Sequence, residues 1–235
     1  MILGKLLKTA EEVTRKVLES ITQNEPLLLT YLNQHSYNIY CKNKDYKELL
    51  DKKFEIYQAD VGVFLALKFL FNMKVSRIDA TEMNQAILNE LIKLRIPLTI
   101  VGSKFDSKFI QEQSTLRGIN LFHYQNGYFE EDQIQNIISK LSSVNNRIFI
   151  VGMGVPRQEF FAGQLSRSQS PRIIICVGNF LEFYFGTQRR APLSLRKIGF
   201  EWVFRLFTEP RRLWKRYLIG IPEFMVRILK LKFNI

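Results

Sequence analysis

The chain has 235 residues, 46% of them hydrophobic, and a formal net charge of +12. Such a length fits one domain with a short appendage and buries a sizeable core, while the positive balance calls for an anionic partner: nucleic acid, acidic lipid or a phosphorylated metabolite. Two cysteines outside any CxxC or Cys/His spacing, with only two histidines, speak against a zinc site.

Residues 4–23 place apolar and charged residues at helical spacing until Asn24-Glu25-Pro26 stops the pattern. LLLTYLN (27–33) reads as a buried strand with polar groups at its end, and the polar run from Gln34 to Lys53 as helix. FEIYQAD (54–60) is a second strand, ending on Asp60. The segment 61–73 is apolar nearly all round and is expected as a buried helix, which would suit a subunit interface of a homo-oligomer as well as a core. After VSRIDA, TEMNQAILNELIKLR has Thr81 as the expected N-cap of an amphipathic helix. LTIVGS (98–103) is a strand, a polar helix is expected over 106–117, Asn126-Gly127 marks a turn, and EEDQIQNIISKLSSV is an amphipathic helix. Short strands alternating with helices predict an α/β, Rossmann-like parallel sheet. Neither a GxGxxG dinucleotide fingerprint nor a Walker motif is present, and no cofactor is expected.

The stretch from Val151 to Tyr217 organises the rest. IFIVGMG and RIIICVG are apolar strand runs, each breaking at glycine, and polar groups follow directly: Gln158 and Glu159 after the first, Glu182 after the second. Ligands of parallel α/β sheets bind at such strand ends. Cys176 lies inside the second run and reads as a buried reduced thiol. Past Pro192 the composition turns basic and aromatic, which divides the chain into a core (1–192) and a basic helical C-terminal appendage (193–235). IPEFMVRILKLKF fits an amphipathic helix on an anionic bilayer and, equally by pattern, a helix packed on the core with its basic face in water. No run is long enough to span a membrane and the first residues lack a signal-peptide pattern. The expected location is therefore cytoplasmic, with peripheral attachment to the inner face of the membrane.

GxPxQE (Gly154, Pro156, Gln158, Glu159), VGxxxE (Val177, Gly178, Glu182), RAP (Arg190, Ala191, Pro192) and EWxxRLxxEPxRxxxRY (Glu201 to Tyr217) resemble, in order and spacing, the WecG/TagA/CpsF family of bacterial glycosyltransferases. The resemblance implies transfer from a UDP-sugar to a polyprenyl-diphosphate-linked saccharide in capsule, exopolysaccharide or teichoic-acid linkage synthesis. It implies an acidic catalytic residue in a DG motif at Asp60, here separated from Gly62 by one inserted residue, Val61. Family members commonly carry Thr-x-Asn at the first strand end, which carries over to Asn33 and, with altered spacing, to Thr30; His35 follows closely. Arg77 matches an arginine near the donor site. Gln158, after the Gly154 turn, matches a glutamine able to bond sugar or uracil. Glu182 stands where many relatives have Asp, and a structural role is favoured for it.

Transfer needs a base for the acceptor hydroxyl and donors for the departing diphosphate. Asp60 is the expected base. Arg190, Arg205, Arg212 and Arg216 are the expected diphosphate ligands, because a guanidinium engages two oxygens at once. Trp202, Trp214 and Tyr217 are expected to pack or anchor at an interface. No Asp-x-Asp pair supplies a metal clamp, so a metal-independent, inverting displacement is expected. A non-catalytic membrane-bound scaffold is the alternative. Nucleic-acid binding is disfavoured because the charge collects in the tail and no nucleic-acid motif is present.

Overall fold

The structure, a computed structural model, describes residues 2–72, 75–167 and 172–234. Six strands form one parallel sheet: β1 (Leu27–Leu32), β2 (Glu55–Gln58), β3 (Leu98–Gly102), β4 (Leu121–Gln125), β5 (Ile148–Gly152) and β6 (Ile173–Cys176). Their order across the sheet is β2-β1-β6-β5-β3-β4. The expected Rossmann-like α/β core is what the chain forms.

The inner strands are almost wholly apolar, with buried Thr30 and Thr99 the polar exceptions, because helices cover both faces. Alternate side chains go to opposite sides. Leu29, Ile100, Ile150 and Ile175 meet Val13 and Val17 of the Ala10–Thr22 helix and Ile87 and Leu91 of the Ala80–Lys93 helix. Leu28, Val101, Phe149, Val151, Ile174 and Cys176 meet Phe161, Ala162 and Leu165 of the Arg157–Leu165 helix on the other face. Cys176 is buried and reduced, as its apolar run predicts. A third cluster beside β1 and β2 gathers Ile2, Leu3 and Leu6 with Tyr46, Leu50, Leu67, Phe224 and Ile228, so both ends of the chain close on the same flank.

Four expectations are corrected. The run 34–53 is two helices, Gln34–Lys42 and Lys44–Lys53, because Asn43 is extended and its side chain accepts from the Tyr46 amide to start the second. The helix after VSRIDA is capped by Asp79, whose carboxylate accepts from the Glu82 amide, and not by Thr81. The apolar helix runs Val61–Phe71, with Asn72 left-handed at its end, and residue 73 lies outside the described residues. That helix is only partly buried: Val63, Ala66 and Leu67 face inward, while Leu65, Phe69 and Phe71 remain exposed.

The segment from Leu193 onward is helical: Leu193–Lys197, Glu201–Thr208 and Pro210–Trp214, then a π-helical turn Lys215–Ile219 leading into Gly220–Phe233. The last helix packs on the core, where Phe224 and Ile228 are buried and the Asn38 side chain donates to the Gly220 carbonyl at 2.7 Å. It also leaves Met225, Val226, Leu229 and Phe233 exposed, so core packing and an unpartnered apolar face coexist on one element. No helix among the described residues is long and apolar enough to cross a membrane.

Candidate active site

The carboxyl ends of β1, β2, β3, β5 and β6 open into one cavity of about 740 Å³, where the order of the strands leaves a crevice above the sheet. The far wall comes from the C-terminal segment, including Trp202, Arg205, Arg212 and Arg216. The C-terminal segment and the strand ends thus form one chamber.

Asp60 sits where β2 gives way to the Val61–Phe71 helix. One carboxylate oxygen accepts from the Val63 amide at 2.7 Å, and the other from the Gln34 amide at 3.0 Å. The first bond caps its own helix and the second ties it to the helix after β1. Burial pushes its pKa up, while the backbone donors and the nearby Arg216 guanidinium pull it down. The group lines the cavity as a carboxylate of heightened basicity. Asn33 ends β1 and caps the Gln34–Lys42 helix in a capping box with Ser36, and it too lines the cavity.

The loops after β5 and β6 supply backbone. Gly154 (φ 77°) and Gly178 (φ 60°) adopt left-handed conformations that glycine enters without strain. At Gly154 the space a Cβ would take is open, whereas at Gly178 that atom would lie 2.1 Å from the Tyr31 hydroxyl. Both glycines line the cavity beside Tyr31 and Asn179.

Arg205, Arg212 and Arg216 project into the chamber from three consecutive segments of the appendage. Glu209 partners Arg205 at 3.9 Å and accepts from Arg212 Nε at 2.6 Å. Arg216 has its Nε buried without a hydrogen-bond partner. Its charge is felt at Asp60, at Tyr31, whose pKa burial raises to about 12, and at His35. The wider π turn that carries Arg216 is a feature often found at functional sites. A different wall is apolar: Leu65 and Phe69 of one helix face Met225, Ile228 and Leu229 of the last.

The cavity therefore brings together Asp60, Asn33, Arg77, Gly154, Arg205, Arg212 and Arg216 from the sequence-predicted set. Arg77 also spends its guanidinium on the carbonyls of Arg196 (2.8 Å) and Lys197 (3.0 Å), fastening the appendage to the core. Four predicted residues lie outside the lining. Thr30 is buried and donates to Glu159 at 2.7 Å. Gln158 is buried between Glu159 and the Gly178 amide. Arg190 pairs with Asp79 and Glu201. His35 is half-buried, and burial with the Arg216 charge lowers its pKa to about 4, which leaves it neutral at pH 7.

Tyr31, Asp79, Asn179 and Glu201 also line the cavity, although none was a site candidate from the sequence. Asp79 stands second to last in VSRIDA, just before a helix, and that position was the available signal. Glu201 opens the EWxxRL motif and has its pKa raised by burial against the opposing pull of Arg190. Trp202 and Tyr217 face the cavity with ring centroids 5.9 Å apart, whereas Trp214 is exposed. Glu182 lines the cavity as well, its pKa raised by burial. Among the described residues, no group of three or more His, Cys, Asp or Glu is placed to hold a metal ion.

The strand-end chamber of this α/β chain thus gathers several carboxylates, Asp60 among them, opposite three arginines of the C-terminal segment. Residues 4–235 match the Glycosyl transferase WecG/TagA/CpsF family, and the chain belongs to it. It is accordingly a glycosyltransferase of cell-surface polysaccharide biosynthesis.

Proposed function

We propose that this chain is an inverting, metal-independent transferase that moves a hexose or N-acetylhexosamine from a UDP-sugar to a polyprenyl-diphosphate-linked saccharide. One observation carries the reading: a single cavity combines Asp60, three arginines of the appendage and an apolar wall between the Val61–Phe71 and Gly220–Phe233 helices. A donor diphosphate fits the arginines, and a lipid-linked acceptor fits an apolar wall that runs to exposed Met225 and Phe69.

In this mechanism Asp60 takes the proton of the acceptor hydroxyl. The oxygen attacks the anomeric carbon as the bond to the UDP oxygen breaks, and a single displacement inverts that centre. Arg205, Arg212 and Arg216 take up charge on the departing diphosphate. Asn33 orients substrate, and the appendage excludes water that would hydrolyse the donor. The exposed apolar and basic residues of the last helix would seat the protein on the inner membrane face.

The test is UDP release by purified protein with a panel of UDP-sugars and short-chain lipid-diphosphate-linked acceptors. Acceptor-dependent release with one donor supports the reading and identifies the sugar. No release with any pair, while vesicle binding persists, favours the scaffold alternative.

A further inference from the structure

We infer that Glu159 and Gln158 form a buried positioning pair that sets the Gly178–Asn179 turn of the cavity and ties it to the end of β1. The inference takes the sugar-transfer reading above as the reaction which that turn serves.

Neither side chain reaches the cavity; both are fully buried. Glu159 Oε1 accepts from the Thr30 hydroxyl at 2.7 Å and from Gln158 Nε2 at 2.8 Å. Gln158 Oε1 in turn accepts from the Gly178 amide at 2.9 Å. The polarity of this chain admits one arrangement. The Gly178 amide only donates, so the glutamine must present its oxygen there and its NH2 to the opposite side. Glu159 supplies the acceptor that NH2 requires. A carboxyl buried this deeply is costly to keep, and its Oε2 has no partner. Packing alone would be served as well by an apolar side chain.

The atoms at the far end belong to the cavity wall. Gly178 holds φ 60°, and Tyr31 packs its hydroxyl into the place of the missing Cβ. Tyr31, Gly178 and Asn179 all line the chamber. Thr30 and Tyr31 are neighbours on β1, so Glu159 fixes both the strand end and, through Gln158, the turn that closes over it. Gln158 thus acts on substrate through Gly178.

The experiment compares Glu159→Gln, Glu159→Ala, Gln158→Met and the double variant Gln158→Met/Glu159→Ala. Amide exchange over residues 176–184 is read beside KM and kcat for UDP release. Gln158→Met keeps the volume and removes the acceptor. It should speed Gly178 exchange and raise donor KM about tenfold, the equivalent of one buried hydrogen bond, with a smaller change in kcat. Glu159→Ala should do the same, the double variant should be no worse than Gln158→Met, and Glu159→Gln, which retains an acceptor, should stay near wild type. Unchanged exchange and KM in Gln158→Met, or additive losses in the double variant, would overturn the inference. Absence of UDP release by the wild type would end the sugar-transfer reading instead, and the exchange measurement alone would then decide the positioning pair.

Discussion

Arg190 places one guanidinium nitrogen 2.6 and 2.7 Å from the two carboxylate oxygens of Asp79. The contact joins the RAP motif to the start of the Ala80–Lys93 helix, and Glu201 stands 3.7 Å from the same nitrogen. Together with the Arg77 bonds to the Arg196 and Lys197 carbonyls, it holds the appendage over the strand ends. The Arg190 and Asp79 side chains keep 18% and 17% exposure, so the pair is not fully desolvated. Arg190→Ala should cost about 2 kcal/mol, below the roughly 3–5 of a fully buried pair. Asp79→Ala should cost about 1 kcal/mol more than Asp79→Asn, because asparagine still caps the helix. Denaturant unfolding of the three variants checks both comparisons.

Asp60 serves as helix cap and proposed base at once, and substitution separates the roles. Asparagine keeps the Val63 cap but has no second oxygen for the Gln34 amide, so Asp60→Asn should lose about 1–2 kcal/mol of stability and stay folded while acceptor-dependent UDP release drops about 10²–10⁴-fold. Asp60→Ala should lose the same activity and a further ~1 kcal/mol of stability. Paired melting curves and release assays read the two effects separately. Undiminished release by stable Asp60→Asn would remove this residue from the chemistry.

Gly178 is constrained twice, by its left-handed backbone and by the Tyr31 hydroxyl 2.1 Å from where a Cβ would sit. Gly178→Ala should destabilise the protein by about 2–4 kcal/mol, of which the backbone accounts for roughly 1–2. Removing the hydroxyl with Tyr31→Phe should recover part of the remainder. A double-mutant cycle by chemical denaturation measures that coupling, and strictly additive effects would refute the steric account.

Burial pushes the Glu159 pKa from its ordinary 4.5 up to about 7. The folded protein therefore binds this proton more tightly than the unfolded chain. The stability it confers is complete below pH about 4.5, falls as pH rises, and is gone above about 7. Asp60, Glu182 and Glu201 are shifted in the same direction, so the comparison must isolate one group. Relative to Glu159→Gln, the wild type should lose thermal stability between those pH values and run parallel to it above them. Parallel curves throughout would show that Glu159 does not titrate in this range.

The fold was readable because its signals are local. Apolar runs of strand length ending in glycine, alternating with helices, admit few arrangements other than a covered parallel sheet. Asp60 and Asn33 were readable for a related reason: each is a polar residue at the end of such a run. The helix over residues 61–73 was misjudged because an apolar surface looks the same from sequence whether it meets a core or a cavity. Thr30, Gln158 and Arg190 are polar residues in motifs, and sequence cannot tell a ligand-facing side chain from one whose partner is another part of the chain. Tyr31 stood out in sequence only as a departure from Thr-x-Asn, because its place at the cavity depends on Gly178, far away in sequence.

By itself the sequence determined the α/β class, the strand ends that gather the site, and membership in a glycosyltransferase family, since period, turn chemistry and motif spacing are properties of neighbours along the chain. Tertiary structure alone decided which arginines face the chamber, that the final helix both packs on the core and exposes an apolar face, and that Gln158 and Glu159 lie behind the wall. Those outcomes depend on burial and on hydrogen bonds between distant segments, such as Thr30 with Glu159 and Gln158 with Gly178. Such partners are fixed only once the sheet has brought its strand ends together.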